Sequence, residues 1–275
     1  MNDGTNDRTN DGAAAKPSRA LTYSSYLHVE ALLGLQAPES REHDEMLFIV
    51  IHQVYELWFH QMLHEMDHLC RLLENGDTPR ALQTMKRLLT ILKTVVAQVD
   101  VLETMTPLEF GSFRDRLGTA SGFQSFQFRE LEFALGHKRE TVMAYHPEGS
   151  EGRARLERRY RAPTLWDAFL AYLARRGYPV SEALLERDVT KALEPSPELQ
   201  ATLIGVYRAD PETAAVCERL LDLDEGLQEW RYRHVKMVER TIGAKVGTGG
   251  SSGAGYLATT LKPAFPDLWE IRSKL

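Results

Sequence analysis

From residue 20 onward the apolar positions recur at helical spacing, and almost no stretch alternates apolar with polar residues. Helical spacing puts apolar side chains on one face of a helix, whereas alternation would mark strands. The pattern predicts helices near 20–36, 42–74, 78–103, 106–118, 123–135, 163–176, 181–193, 196–208 and 210–242. Several carry their own boundary signals. Thr106-Pro107-Leu108-Glu109 supplies a capping threonine, a proline at the first helical position and a glutamate at the third. Asn75-Gly76 closes the first long segment, and Asp210-Pro211 opens the last. Residues 137–162 are polar and charged and are expected to form a loop or a mobile helical excursion. The fold class is all-α, with two long helices and several shorter ones. Residues 1–19 form a polar, repetitive tail expected to be disordered. Residues 20–275 are expected to form one domain, with 137–210 as a candidate subdomain.

A chain of 275 residues that is 43% hydrophobic can bury a sizeable core in one domain, or two at most. The net charge of −6 and the scattered basic residues argue against nucleic acid as a partner. No apolar run approaches the ~20 residues of a membrane span, and the N-terminus has no hydrophobic signal core. The two cysteines, Cys70 and Cys217, sit in apolar helical patterns and read as reduced core thiols. These features together predict a cytoplasmic protein with no membrane partner.

Nine histidines are the main candidates for chemistry. His64-Glu65-Met66-Asp67-His68 matches the H-E-x-x-H zinc signature literally. Helical geometry argues against zinc, because His64 and His68 lie roughly 170° and 210° from the centre of the apolar face. His52 lies roughly 50° from that centre, beside Phe48 and Phe59. A histidine at the edge of an apolar face needs a partner for its ring nitrogens, and the pattern alone favours a satisfied core residue there. His234 continues the series Val216, Leu220, Leu223, Leu227, Trp230, so it takes a position that otherwise holds core residues. A neutral imidazole projecting into an apolar pocket is one way proteins hold haem iron. Spacing alone does not separate that role from a buried structural histidine. Arg114 borders an apolar helix face, where a guanidinium can grip a planar carboxylate or form a structural ion pair. The glycine-rich segment Gly247–Gly253 follows no strand and lacks the Gly-Lys-Ser/Thr of a nucleotide loop. It reads as a mobile loop over a site or as a flexible connector.

Eight segments occur in a fixed order: Tyr23-Ser-Ser-Tyr26-Leu27, His43-Asp-Glu-Met-Leu-Phe48-Ile-Val-Ile-His52-Gln, Glu56-Leu-Trp-Phe59, Met105-Thr-Pro-Leu-Glu-Phe110, Phe113-Arg114, Ser121-Gly-Phe-Gln-Ser125, Trp230-Arg-Tyr-Arg-His234 and Gly247-Thr-Gly-Gly-Ser-Ser-Gly253. Together they closely resemble the tryptophan 2,3-dioxygenase family over residues 20–275. The resemblance implies an all-helical bundle that binds haem b, ferrous when active, and assembles as a homotetramer. It implies that L-tryptophan and O2 are the substrates and N-formyl-L-kynurenine the product. It makes His234 the proximal iron ligand and His52 the distal histidine that accepts a hydrogen bond from the indole N–H. Arg114 would clamp the substrate carboxylate, and Thr248 would meet the ammonium and carboxylate ends of the amino acid. Phe48, Phe110 and Leu117 would wall the indole, and Ser121 would line the distal pocket. Tyr23, Tyr26 and Leu27 would complete a neighbouring subunit's site. Some members of the family carry Tyr where this chain has Phe110, which would leave Arg114 with more of the anchoring role. Three rival readings compete: a haem-based oxygen or redox sensor without turnover, a purely structural helical oligomer, and a zinc hydrolase.

Overall fold

His28 breaks the first expected helix. Its backbone adopts the left-handed region at φ 52, ψ 40, where a residue other than glycine is uncommon. Residues 20–36 therefore form two short helices, α1 (Tyr23–Leu27) and α2 (Val29–Leu33), instead of one. Neither contains a buried residue. The computed structural model describes residues 20–243, 245 and 254–275, so the expected disorder of residues 1–19 and the Gly247–Gly253 loop, with Thr248, lie outside the described residues. The chain divides into two compact units, one up to Ala37 and one spanning Pro38–Leu275.

The second unit is built on three long helices. Helix α3 (His43–Glu74) buries Ile51, Tyr55, Phe59, Met62, Met66, Leu69 and Leu73 at helical spacing. Asn75 ends it, and Gly76 turns the chain at φ 73. Asp77 then accepts the Arg80 N–H and starts α4 (Thr78–Leu102), so the two helices form an antiparallel pair. Far along the chain, Asp210 caps α11 (Pro211–Ile242) by accepting the N–H groups of Glu212 and Thr213. Helix α11 lies along α4. A Cβ on Gly226 would sit 2.7 Å from a Leu92 methyl, so glycine is what permits this close approach.

Shorter helices cover the long ones: α5 (Pro107–Phe113), α6 (Phe126–Ala134), α7 (Glu151–Arg161), α8 (Leu165–Arg175), α9 (Glu182–Leu185), α10 (Pro197–Ala209), α12 (Ala254–Ala258) and α13 (Pro266–Glu270). Thr106 and Glu109 form the expected capping box on α5. The helix expected to reach Gly118 ends at Phe113, tightens to a 3-10 turn over Arg114–Leu117 and reverses at Gly118, φ 56. Helix α7 lies inside the stretch expected to be a loop or a helical excursion, and it takes the helical alternative over Glu151–Arg161. Only Leu156 of α7 is buried, and the helix is held instead by Arg153–Glu157, Arg155–Glu130 and Arg159–Asp67 ion pairs. Lys138 adds three hydrogen bonds of 2.8 Å to the carbonyls of Arg159, Tyr160 and Ala162 at its C-terminal end. The helix expected over 181–193 shrinks to α9. Beyond it Arg187 binds Asp167, and the Asp188 side chain takes the Thr190 N–H, so the chain exchanges helical bonds for local turns.

The C-terminal segment is core rather than tail. Phe265, Leu268 and Ile271 are fully buried. The buried carboxylate of Asp224 on α11 accepts the N–H groups of Ala264, Phe265 and the Trp269 indole. Among the described residues there is no strand, and no helix is long and apolar enough to cross a membrane.

Candidate functional site

Successive turns of α3 carry Phe48, His52, Tyr55 and Phe59 along one side, while α11 presents Trp230, His234, Met237 and Thr241 from another. Between them lies a cavity of about 280 Å³. Helix α5 and the turn after it add Phe110 and Arg114, the connection to α6 adds Ser121, and α6 adds Phe128, Arg129 and Glu132. Six residues singled out in the sequence thus face one space: Phe48, His52, Phe110, Arg114, Ser121 and His234. Leu117 is half-buried and packs against the main core, and it is not among the residues lining this space. Tyr23 and Tyr26 are 77% and 66% exposed in the N-terminal unit, and Leu27 is exposed there too.

His52 is held in a defined protonation state. Its Nδ1 lies 2.6 Å from the Phe48 carbonyl oxygen, one helical turn back. A carbonyl can only accept, so Nδ1 carries the hydrogen and Nε2 keeps a lone pair for the cavity. Burial lowers the His52 pKa below its ordinary value, against the opposing pull of the Phe48 carbonyl and Glu56. The ring packs 4.1 Å from the Phe48 ring, which meets Phe110 at 5.8 Å and Phe113 at 5.6 Å. These aromatics form an apolar wall beside the acceptor nitrogen.

His234 is the second imidazole. Its ring stacks nearly parallel on Trp230, 13° between planes and 5.3 Å between centroids. Burial, with help from His52 and Arg129, pushes its pKa down to about 4. It is therefore neutral at pH 7, the form that can donate a lone pair to a metal. Sequence spacing placed this side chain in the core, and it is in fact half-buried on the cavity wall.

The literal zinc motif does not assemble. His64 is exposed, and Glu65 is taken by Arg87 and Gln61. No cluster of three or more metal-binding side chains occurs among the described residues. A metal held through His234 would thus need most of its other ligands from elsewhere, as in a porphyrin. An apolar aromatic cavity with a neutral, cavity-facing imidazole fits haem on both counts.

A charged cluster in the wall was not legible in the sequence. Glu132 accepts hydrogen bonds from Arg129, Arg139 and Arg231. Burial alone would raise the Glu132 pKa, but the three guanidiniums outweigh it and hold the carboxyl below its ordinary range. Arg139 also reaches the Tyr256 hydroxyl at 3.1 Å. The side chains of Arg129, Glu132 and Arg231 are only 7%, 1% and 5% exposed.

The family model described as tryptophan 2,3-dioxygenase matches residues 8–168 and 191–275. This chain belongs to the tryptophan 2,3-dioxygenase family. It is 62% identical over 260 residues to a tryptophan 2,3-dioxygenase of Herpetosiphon aurantiacus, covering 94% of this chain and 100% of the relative. A second family member, from Anaeromyxobacter sp. strain K, is 58% identical over 259 residues, with 94% of this chain and 97% of the relative covered. A more distant one, from Caulobacter vibrioides, is 46% identical over 260 residues, with 93% and 98% covered. The stretch 169–190, outside the family match, contributes no residue to the cavity wall among the described residues. The parts of the chain that make the cavity are therefore the parts the family shares.

Proposed function

We propose that this chain is a haem-dependent dioxygenase that opens the indole ring of L-tryptophan between C2 and C3 to give N-formyl-L-kynurenine. This is the first step of tryptophan breakdown by the kynurenine pathway. The observation that carries the proposal is the pairing of two neutral, cavity-facing imidazoles, His52 and His234, in one space with Arg114.

Haem b, ferrous when active, supplies the binding and activation of O2, both atoms of which enter the product. His234, neutral and on the cavity wall, would hold the iron. His52 accepts the indole N–H through Nε2 and so orients the ring. A base is not required there, because an indole N–H is a very weak acid and a hydrogen bond suffices to position it. Arg114 grips the substrate carboxylate, Phe48 and Phe110 flank the indole, and Ser121 lines the same cavity. Packing by these apolar rings keeps water from the reacting bond. Leu117 as a wall residue, and Thr248 as a contact for the amino-acid head group, rest on the family resemblance. So does a homotetramer in which Tyr23, Tyr26 and Leu27 complete a neighbour's site. Residues 20–275 act as one functional domain, in the cytoplasm, without nucleic acid or membrane as partner.

The test is a haem titration of the purified protein and of His234→Ala, followed by absorbance. The wild type takes up one haem per chain with an intense Soret band. His234→Ala keeps its helical circular dichroism and loses the normal ferrous spectrum. A variant with an unaltered ferrous spectrum removes His234 as the ligand.

A further inference from the structure

The Arg129–Glu132–Arg231 cluster holds more positive charge than it uses. One buried carboxylate faces three guanidiniums. The next acid, Asp224, spends its oxygens on Ala264, Phe265, Trp269 and Gln228. Hydrogen bonding leaves the same surplus. The Nε–H groups of both Arg129 and Arg231 are buried with no acceptor among the described residues. Each orphaned donor costs about 1–3 kcal/mol in a finished structure. Burial lowers the Arg231 pKa, and repulsion from Arg139 and Arg129 adds to that fall despite the pull of Glu132. A set of this kind is a site built for further anions.

Position limits which anions. Arg129, Glu132 and Arg231 all line the cavity, and Arg231 precedes His234 by one turn on the same face of α11. The Arg129 guanidinium lies over the rings of Phe123 and Phe128, at 5.7 and 5.1 Å. Arg231 also donates to the Thr260 carbonyl. Neither head can swing out to solvent. The substrate clamp Arg114 is a separate residue, on the turn after α5, beside the Phe48–Phe110 wall. Glu56, the other acid of the wall, is bound to Gln127, and with haem on His234 and the substrate on Arg114 the remaining ligand carboxylates are the cofactor's own.

We propose that Arg129 and Arg231, braced by Glu132, receive the propionate carboxylates of the haem. Glu132 acts as a positioning residue: it aims the two guanidiniums and offsets part of their repulsion while the site is empty. Arg139 and Tyr256 tie the cluster to α12, the first helix after the glycine-rich segment. This inference rests on the haem reading above, and the experiment separates the two.

Apoprotein is loaded either with haem or with its dimethyl ester, in which both propionates are neutral. Release is followed as the loss of the Soret band during transfer to excess apomyoglobin. Charge-assisted hydrogen bonds are worth about 1.5–3 kcal/mol, so the wild type releases the ester about 10- to 100-fold faster than haem. In Arg129→Gln, which leaves Glu132 with Arg139 and Arg231, that ratio falls at least about threefold below the wild-type ratio, because Arg231 still holds a propionate. Arg231→Gln gives the same fall if it folds, and Arg129→Gln suffices if it does not. An ester penalty as large in Arg129→Gln as in the wild type overturns the proposal, as does a penalty that vanishes only in Arg114→Ala. A variant that weakens tryptophan binding with the ester penalty intact assigns the cluster to the substrate and likewise overturns it. A wild type that binds neither porphyrin overturns the haem reading itself.

Discussion

An imidazole can hold a metal or accept a hydrogen bond only through an unprotonated nitrogen, and both cavity histidines meet that condition by different means. His52 places its one hydrogen on the Phe48 carbonyl, which leaves Nε2 free to accept. His234 is neutral because burial and nearby positive charge oppose its protonation. On the proposed function, Arg114, which lines the same cavity, supplies the complementary charge. A substrate carboxylate without it stays unpaired in a dry pocket, a loss of several kcal/mol. Arg114→Ala is therefore expected to raise the KM for tryptophan by about a hundredfold or more while haem content per chain stays the same. Steady-state kinetics and the Soret absorbance check this together, and a parallel loss of haem would contradict the assignment. These three residues were legible in the sequence because each sits in a short ordered motif. Arg129, Glu132 and Arg231 were not. On a helix a charged residue reads as solvated surface, and α6 buries every position from Gln127 to Ala134, charges included. Only the convergence of α6, Arg139 and α11 shows that these charges serve one another.

At the scale of elements, periodicity located the helices that pack by apolar stripes and failed where polar bonds do the holding. Helices α3, α4 and α11 appear within a residue or two of their expected limits. Helix α7 stays open in the sequence between loop and helical excursion because it is held by ion pairs and by Lys138 at its end. The helix over 181–193 was overdrawn because Arg187 and Asp188 bind local groups instead. The partners of α7 on other helices, Glu130 and Asp67, lie far off in sequence, and an apolar pattern registers neither them nor the local polar bonds of Arg187 and Asp188. The C-terminal segment makes the same point. Its place in the core depends on Asp224, whose carboxylate takes two backbone N–H groups and one indole N–H. Asp224→Ala strands these donors in the interior and is expected to lower the unfolding free energy by about 3 kcal/mol. Urea unfolding read by circular dichroism tests it. A loss below about 0.5 kcal/mol, the size of an ordinary surface change, would mean that the apolar contacts of Phe265 and Leu268 hold the segment without it.

For the whole molecule, half-buried neutral histidines make the haem-free fold sensitive to acid. Burial pushes His137 and His234 down to about 4 from an ordinary value of 6.5. Below pH 6.5 the unfolded chain takes up protons that the folded chain refuses. Stability is thus fully present above about pH 6.5 and is lost as the pH falls toward 4, at up to about 1.4 kcal/mol per pH unit for each such group. The urea midpoint of the apoprotein should fall steadily from pH 6.5 to 5, before ordinary carboxylates titrate. A flat midpoint over that interval would mean that these imidazoles are charged in the fold.

The central claim is a reaction. The most direct measurement incubates reduced, haem-loaded protein with L-tryptophan under ¹⁸O2 and weighs the product by mass spectrometry. The account predicts N-formyl-L-kynurenine carrying both atoms of one O2 molecule. Haem-loaded protein that binds O2 and leaves tryptophan unchanged, or a product labelled with a single oxygen atom, would contradict it.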